Sequence, residues 1–226
     1  MISVPSAFAR AFAQLGDRRV LGVLAKSLAV TLAIVTALAF AIVEGGRQAA
    51  DRWIGESGDT YYLVAGVLAL VAMWLLFRIV ALAVLQFFAD DVVHAVEARH
   101  YPQEAASARD IPFAEEARNA LRGLLRAVAV NALALPFAIA LLVTGVGTAL
   151  LFWAVNAWLL GRELMDMAWL RHRHDASAAP PLGALTRFAL GGIVAAMLLI
   201  PFANLLAPVL GAAAATHLVH SRRSRS

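Results

Sequence analysis

Cysteine is absent from the 226 residues, and only 15% of them are charged. The first absence excludes a disulfide scaffold. The second excludes an ordinary water-soluble enzyme, because soluble domains carry about 25% charged and about 45–50% apolar residues. Here the hydrophobic share is 62% and the mean hydropathy +0.75, which also excludes a disordered chain. Catalytic signatures are missing too: there is no Gly-rich phosphate loop, no H-E-x-x-H and no G-x-S-x-G elbow. The expectation is therefore no enzyme, no cofactor, no metal and no ATP hydrolysis. A pI near 10.3 fits nucleic acid in other settings, but basic residues interleaved with long uncharged blocks belong among lipid headgroups. No nucleic-acid partner is expected.

What the chain does have is apolar length. Uncharged blocks run over Ser27–Val43, Thr60–Phe77, Ala127–Gly161 and Phe188–Thr216. A crossing needs about 20 apolar residues. The first block, started at Val23, supplies one span over 23–43, with Lys26 snorkelling at its edge. A signal peptide is disfavoured: the apolar stretch runs past the Ala37-Leu38-Ala39 site, and the leading segment is long. The second block supplies a span from Tyr61 to Phe77, anchored by Arg78. It continues as a helix outside the bilayer, so the element covers 61–100.

The last two blocks are interrupted. As one straight helix, Ala127–Leu160 would be about 51 Å long, too long for a bilayer, and two full spans would need more residues. Thr144-Gly145-Val146-Gly147-Thr148 breaks it in the middle, and Pro201, Asn204 and Pro208 break Phe188–Val219 into arms of about 13 residues. Such arms suit hairpins that enter and return on one side, at 113–161 (with a leading amphipathic helix) and 188–220. Charge agrees. If the last two blocks are hairpins, the Lys+Arg split leaving out Arg78 is 16 against 2; if all blocks cross, it is 12 against 6. Both arrangements put both termini in the cytoplasm, and the bias predicts a single orientation. The fold class is thus an all-α integral membrane protein forming a single membrane domain over 1–226. It has two long transmembrane helices, two re-entrant, hemi-penetrating helical hairpins and interfacial amphipathic helices.

Residues 1–19 form an interfacial helix and turn. Val4, Phe8, Phe12 and Leu15 repeat at helical spacing, as in a helix lying on a membrane surface. Further on, Arg118, Arg122 and Arg126 share a face by i+4 spacing; such a stripe meets phosphate headgroups or lines an anion route. Polar groups inside the blocks include Asn131, Asn156, Thr144, Thr148 and Thr216, suited to bonds across helices. Asn204, between two prolines, is a candidate for a pathway or hairpin-break role together with Pro201 and Pro208. Arg162-Glu163 and Asp166 suit an interfacial charge network. His94, Glu97 and His100 recur every three residues without a metal-site pattern. His172 and His174 read as part of a solvated loop, and His217-x-x-His220 ends the last block.

Gln14-Leu15-Gly16-Asp17-Arg18-Arg19 resembles the G-x-R-R element of the CysZ family of bacterial sulfate permeases, which is related to the etoposide-induced 2.4 proteins. The stretch Gln86–Glu97 is similar to that family's aromatic–Asp–apolar–Val–Glu segment. Gly161-Arg162-Glu163-Leu164-Met165-Asp166 resembles its A-R-E-Y-L-D element, and Pro201–Pro208 its P-x-x-N-x-x-x-P hairpin. The resemblance implies two long helices with two membrane-dipping hairpins, a homo-oligomer among membrane lipids, and sulfate passage across the inner membrane toward cysteine biosynthesis. It places the anion at Gly16, Arg18 and Arg19. Backbone N–H groups at a helix start and two guanidinium groups suit a tetrahedral oxyanion. Asp17 departs from the pattern, since a carboxylate there repels sulfate unless it turns away to cap the helix. The alternative is a non-transporting membrane scaffold or lipid-interacting protein, with Arg18 and Arg19 as headgroup anchors. Absence of an acid inside the apolar blocks leans toward passive conduction.

Overall fold

The computed structural model describes residues 2–53, 66, 67, 71, 73, 74, 76, 77, 80, 84, 88–173, 175, 178–201 and 203–223. Most of the expected second span, with Arg78, lies outside the described residues, as do His174 and Phe202. The described residues are helical, without strands. They form α1 (Val4–Ala13), α2 (Arg18–Trp53), α3 (Ala89–His100), α4 (Pro102–Ser107), α5 (Phe113–Leu141), α6 (Val146–Trp169), α7 (Ala184–Leu198) and α8 (Ala203–Arg223). Two compact units result: Leu21–Phe88, and Met1–Val20 with Ala89–Ser226.

The Leu21–Phe88 unit holds most of α2. Leu28, Leu32, Leu38 and Phe40 on it are exposed, Phe40 by 74%. An aqueous surface does not sustain that much contiguous apolar area, whereas lipid does. Its hydroxyls bond to their own helix, Ser27 to the Leu24 carbonyl and Thr31 to the Ser27 carbonyl, both at 2.8 Å. The helix does not stop at Val43 as the apolar run does. It continues to Trp53, with Gln48 donating to Glu44 across one turn at 3.0 Å.

In the other unit, α5 fuses two segments that the sequence separates, the basic amphipathic stretch and the first arm of the third block. Its length and composition, like those of α2 and α8, suffice to cross a membrane. Leu133, Phe137, Ile139 and Val143 are exposed, and Ala134 and Ala138 are buried. The chain then breaks at Leu142–Gly145. Gly145 sits at φ 60°, a left-handed conformation that a side chain would strain. The Thr144 hydroxyl accepts the Gly147 N–H at 3.0 Å and so caps α6, while the Thr148 hydroxyl donates to the Ala138 carbonyl across the break at 3.3 Å. The chain doubles back, and α6 packs against α5.

Two glycines let α6 cross α7 at backbone contact. A Cβ on Gly161 would collide with the Arg187 carbonyl, and one on Gly191 with the Ala157 carbonyl. Trp153 closes the same crossing by donating to the Gly192 carbonyl at 3.0 Å. After a turn at 199–201, α8 threads among α1, α3, α6 and α7 and is nearly sealed from solvent.

Two expectations are corrected here. Pro208 does not break the chain but lies inside α8, so that arm has 21 residues rather than about 13. A proline within a helix costs about 3 kcal/mol, and the burial of Ala207, Val209 and Leu210 around it outweighs that loss. The buried side of α1 is Ala7, Phe8 and Ala11, packed on α8; of the apolar stripe read from the sequence, Phe12 stays exposed.

The glycine crossing gives a direct test. Gly191→Val should destabilise the protein by about 1–3 kcal/mol, the usual cost of overpacking, with a matching drop in Tm in detergent. Gly123→Ala, inside α5 where a Cβ meets nothing within 4 Å, should not lower Tm.

Candidate functional site

The turn between α1 and α2 carries the candidate anion residues, and Asp17 organises it. Its Oδ1 accepts the Arg19 backbone N–H at 3.2 Å, capping α2, and its Oδ2 pairs with Arg99 Nε at 2.9 Å. A carboxylate thus occupies the position at the helix start where an external anion would bind. Arg18 and Arg19 point their side chains into the open, and a Cβ at Gly16 would meet nothing. Beside this turn lies a cavity of about 620 Å³ lined by Arg10, Gly16, Asp17, Arg99, His100 and His217. His217 is fixed from both sides: Gln14 Nε2 is 2.6 Å from its Nε2 and Tyr101 Oη 2.8 Å from its Nδ1. Arg18 and Arg19 are not among the lining residues, and neither are Pro201, Asn204 and Pro208. Asn204 is buried at the start of α8.

A second, larger cavity of about 740 Å³ opens among α3, α5 and α6. Arg122 and Arg126 of the basic stripe line it with Arg162, Arg171 and Arg173, while Arg118 does not. Opposite them stand Asp90, Glu116, Glu163 and Asp166. Burial raises the Asp90 carboxyl above its ordinary range against the pull of His94. Burial, reinforced by Asp166 and Asp90, raises Glu163, and burial raises Asp166 despite Arg162, whose Nε lies 3.6 Å away. Burial and Arg171 push the His94 imidazole down.

The third grouping was not legible in the sequence. Glu97, read there with His94 and His100, is fully buried and turns away from both. His172, read as part of a solvated loop, is only 1% exposed. The Glu97 Oε1 accepts from His172 Nε2 at 2.8 Å and from His220 Nε2 at 2.9 Å, and Arg171 Nη1 stands 3.3 Å from Oε2. Burial opposes ionisation of Glu97, but these partners outweigh it and hold its pKa down at about 2. The reason for the misreading is that the short 3-10 turn Leu170–His172 folds the polar segment inward, with Arg109 N–H bonding the Arg171 carbonyl at 3.0 Å.

The family model described as Sulfate transporter CysZ/Etoposide-induced protein 2.4 matches residues 7–208. The chain belongs to this family. No curated protein matches it. Membership makes the protein a multi-pass membrane protein of a sulfate-transport-related family, in accord with the exposed apolar faces of α2 and α5. Among CysZ-family elements in this chain, the G-x-R-R turn bears Asp17 as its helix cap. The R-E-x-x-D element contributes Arg162, Glu163 and Asp166 to the larger cavity.

The raised Glu163 carboxyl sets a pH dependence. A group with its folded pKa above the unfolded value favours the fold at low pH and loses that contribution as pH rises through the folded pKa. Glu163→Gln removes the buried charge. It should therefore raise Tm at pH 8 and leave it unchanged at pH 4, where the wild-type carboxyl is already protonated. Differential scanning fluorimetry across this range measures the difference.

Proposed function

We propose that this CysZ-family protein is a passive permease or channel for sulfate or a similar oxyanion in a bacterial inner membrane, supplying sulfate assimilation and performing no catalysis. The family match supports it most directly. The arginine-rich cavities add chemical sense, because a guanidinium group carries several N–H donors and suits a tetrahedral dianion. In this reading α2 spans the bilayer, α5–α6 and α7–α8 dip in as re-entrant hairpins, both termini are cytoplasmic and the protein assembles as a homo-oligomer. The chain breaks at Gly145 and turns at Pro201, which supports this reading.

One observation favours the second reading, a membrane scaffold without flux. Asp17 fills the helix start and neutralises Arg99, so the G-x-R-R turn is satisfied without a ligand.

Sulfate uptake into proteoliposomes separates the two. The permease reading expects uptake in the wild type and at least a tenfold loss in Arg18→Ala/Arg19→Ala. It also expects a gain in Asp17→Asn, which keeps a capping oxygen but removes the competing charge. No wild-type uptake beside an active relative supports the scaffold. Uptake that survives the double substitution keeps transport and moves the anion site elsewhere.

Topology has its own test in this cysteine-free chain. Ser57→Cys and Ala176→Cys should react with a membrane-impermeant maleimide from opposite sides. Reaction from the same side would exclude the re-entrant arrangement.

A further inference from the structure

The buried grouping around Glu97 has no part in the transport reading. Three elements distant in sequence bring one polar atom each to a common point: Glu97 Oε1 from α3, His172 Nε2 from the turn after α6, and His220 Nε2 near the end of α8. All three residues are almost wholly buried, and their ligating atoms lie within 4.8 Å of one another. We propose that Glu97, His172 and His220 form a binding site for a divalent transition cation, with zinc the best match, that clamps α3 and the turn after α6 to the end of α8.

The donor set is the argument. Two imidazole nitrogens and one carboxylate oxygen are a common three-ligand set for zinc, leaving a fourth position for water. Borderline donors of this kind also select against the hard cations magnesium and calcium, which require oxygen ligands. Zinc–ligand bonds of about 2.0–2.1 Å in a tetrahedron place ligand atoms about 3.3 Å apart. The carboxylate–imidazole distances of 2.8 and 2.9 Å need to open by only a few tenths of an ångström. Arg171 Nη1, 3.3 Å from Oε2, orients the carboxylate as an outer partner does in metal sites. Tyr101 stacks on the His220 ring at 4.7 Å, and the two histidine rings meet edge to face at 4.9 Å, so both imidazoles are held in place by packing.

With or without a cation on the Nε2 atoms, His172 Nδ1 and His220 Nδ1 are buried with no partner among the described residues. His172 Nε2 and His220 Nε2, from elements far apart in the chain, converge on the single oxygen Oε1. A cation sharing all three ligands explains the convergence.

The test uses tag-free, full-length protein in detergent, stripped with a chelator and titrated with Zn²⁺ against a competing fluorescent chelator. The expected result is one Zn²⁺ per chain with micromolar or tighter affinity. His172→Gln and His220→Gln should each weaken it at least tenfold, and His217→Gln, which alters the neighbouring histidine, should not. The expected chelator effect is a lower Tm, restored by Zn²⁺. Should the site variants fail to fold, Co²⁺ bound to the wild type gives the second reading: intense visible bands of a four-coordinate ion support the site. A weak six-coordinate spectrum overturns it. So does the absence of stoichiometric Zn²⁺ binding, or binding that is equal in wild type, His172→Gln and His220→Gln.

Discussion

Burial of α8 is the constraint on which the larger unit depends. An apolar helix enclosed by protein on nearly all sides has little water and no headgroups to satisfy its polar side chains, which therefore turn to partners inside. Thr216 donates to the Ala212 carbonyl at 2.8 Å, His217 is held between Gln14 and Tyr101, and His220 reaches Glu97. Those partners belong to different elements, so the same polar bonds that make burial tolerable also fix where α1, α3 and the turn after α6 must sit. Small residues do the rest. Ala212–Ala215 and Gly211 let neighbours approach closely, with Val194 and Leu164 against Gly211.

The helices α2 and α5 obey the opposite rule. Their apolar side chains face outward, and their hydroxyls and amides bond within their own helix, as with Ser27, Thr31 and Asn131. Only a solvent that rewards apolar exposure and punishes an unpaired backbone makes both choices favourable. One chain therefore contains helices solvated by lipid and one solvated by protein.

Much of this was legible in the sequence, because composition and run length report the solvent directly. The helical class, the break beside Gly145 and the reversal near Pro201 follow from apolar runs and weak helix formers. Pro208 shows the limit: local propensity predicts a break, and tertiary burial overrides it. Glu97 shows a different one. Steps of three residues rotate about 60° short of a full turn, so His94, Glu97 and His100 drift across the α3 surface. His94 faces the larger cavity, Glu97 the interior and His100 the smaller cavity. The partners of Glu97 stand 75 and 123 residues away, a separation that spacing rules do not see. Asp17 was legible as a departure, but its pairing with Arg99 required the fold.

The position of α8 in the chain order bears on how the protein is made. Ribosomes deliver α1, α3, α6 and α7 before the helix that they enclose. Until it arrives, the groove it fills stays open and Glu97 lacks one of its imidazoles. The earlier helices must therefore wait, inserted yet unlocked, during synthesis. Contacts so distant along the chain form slowly. Seating of α8 is therefore the step that closes the unit.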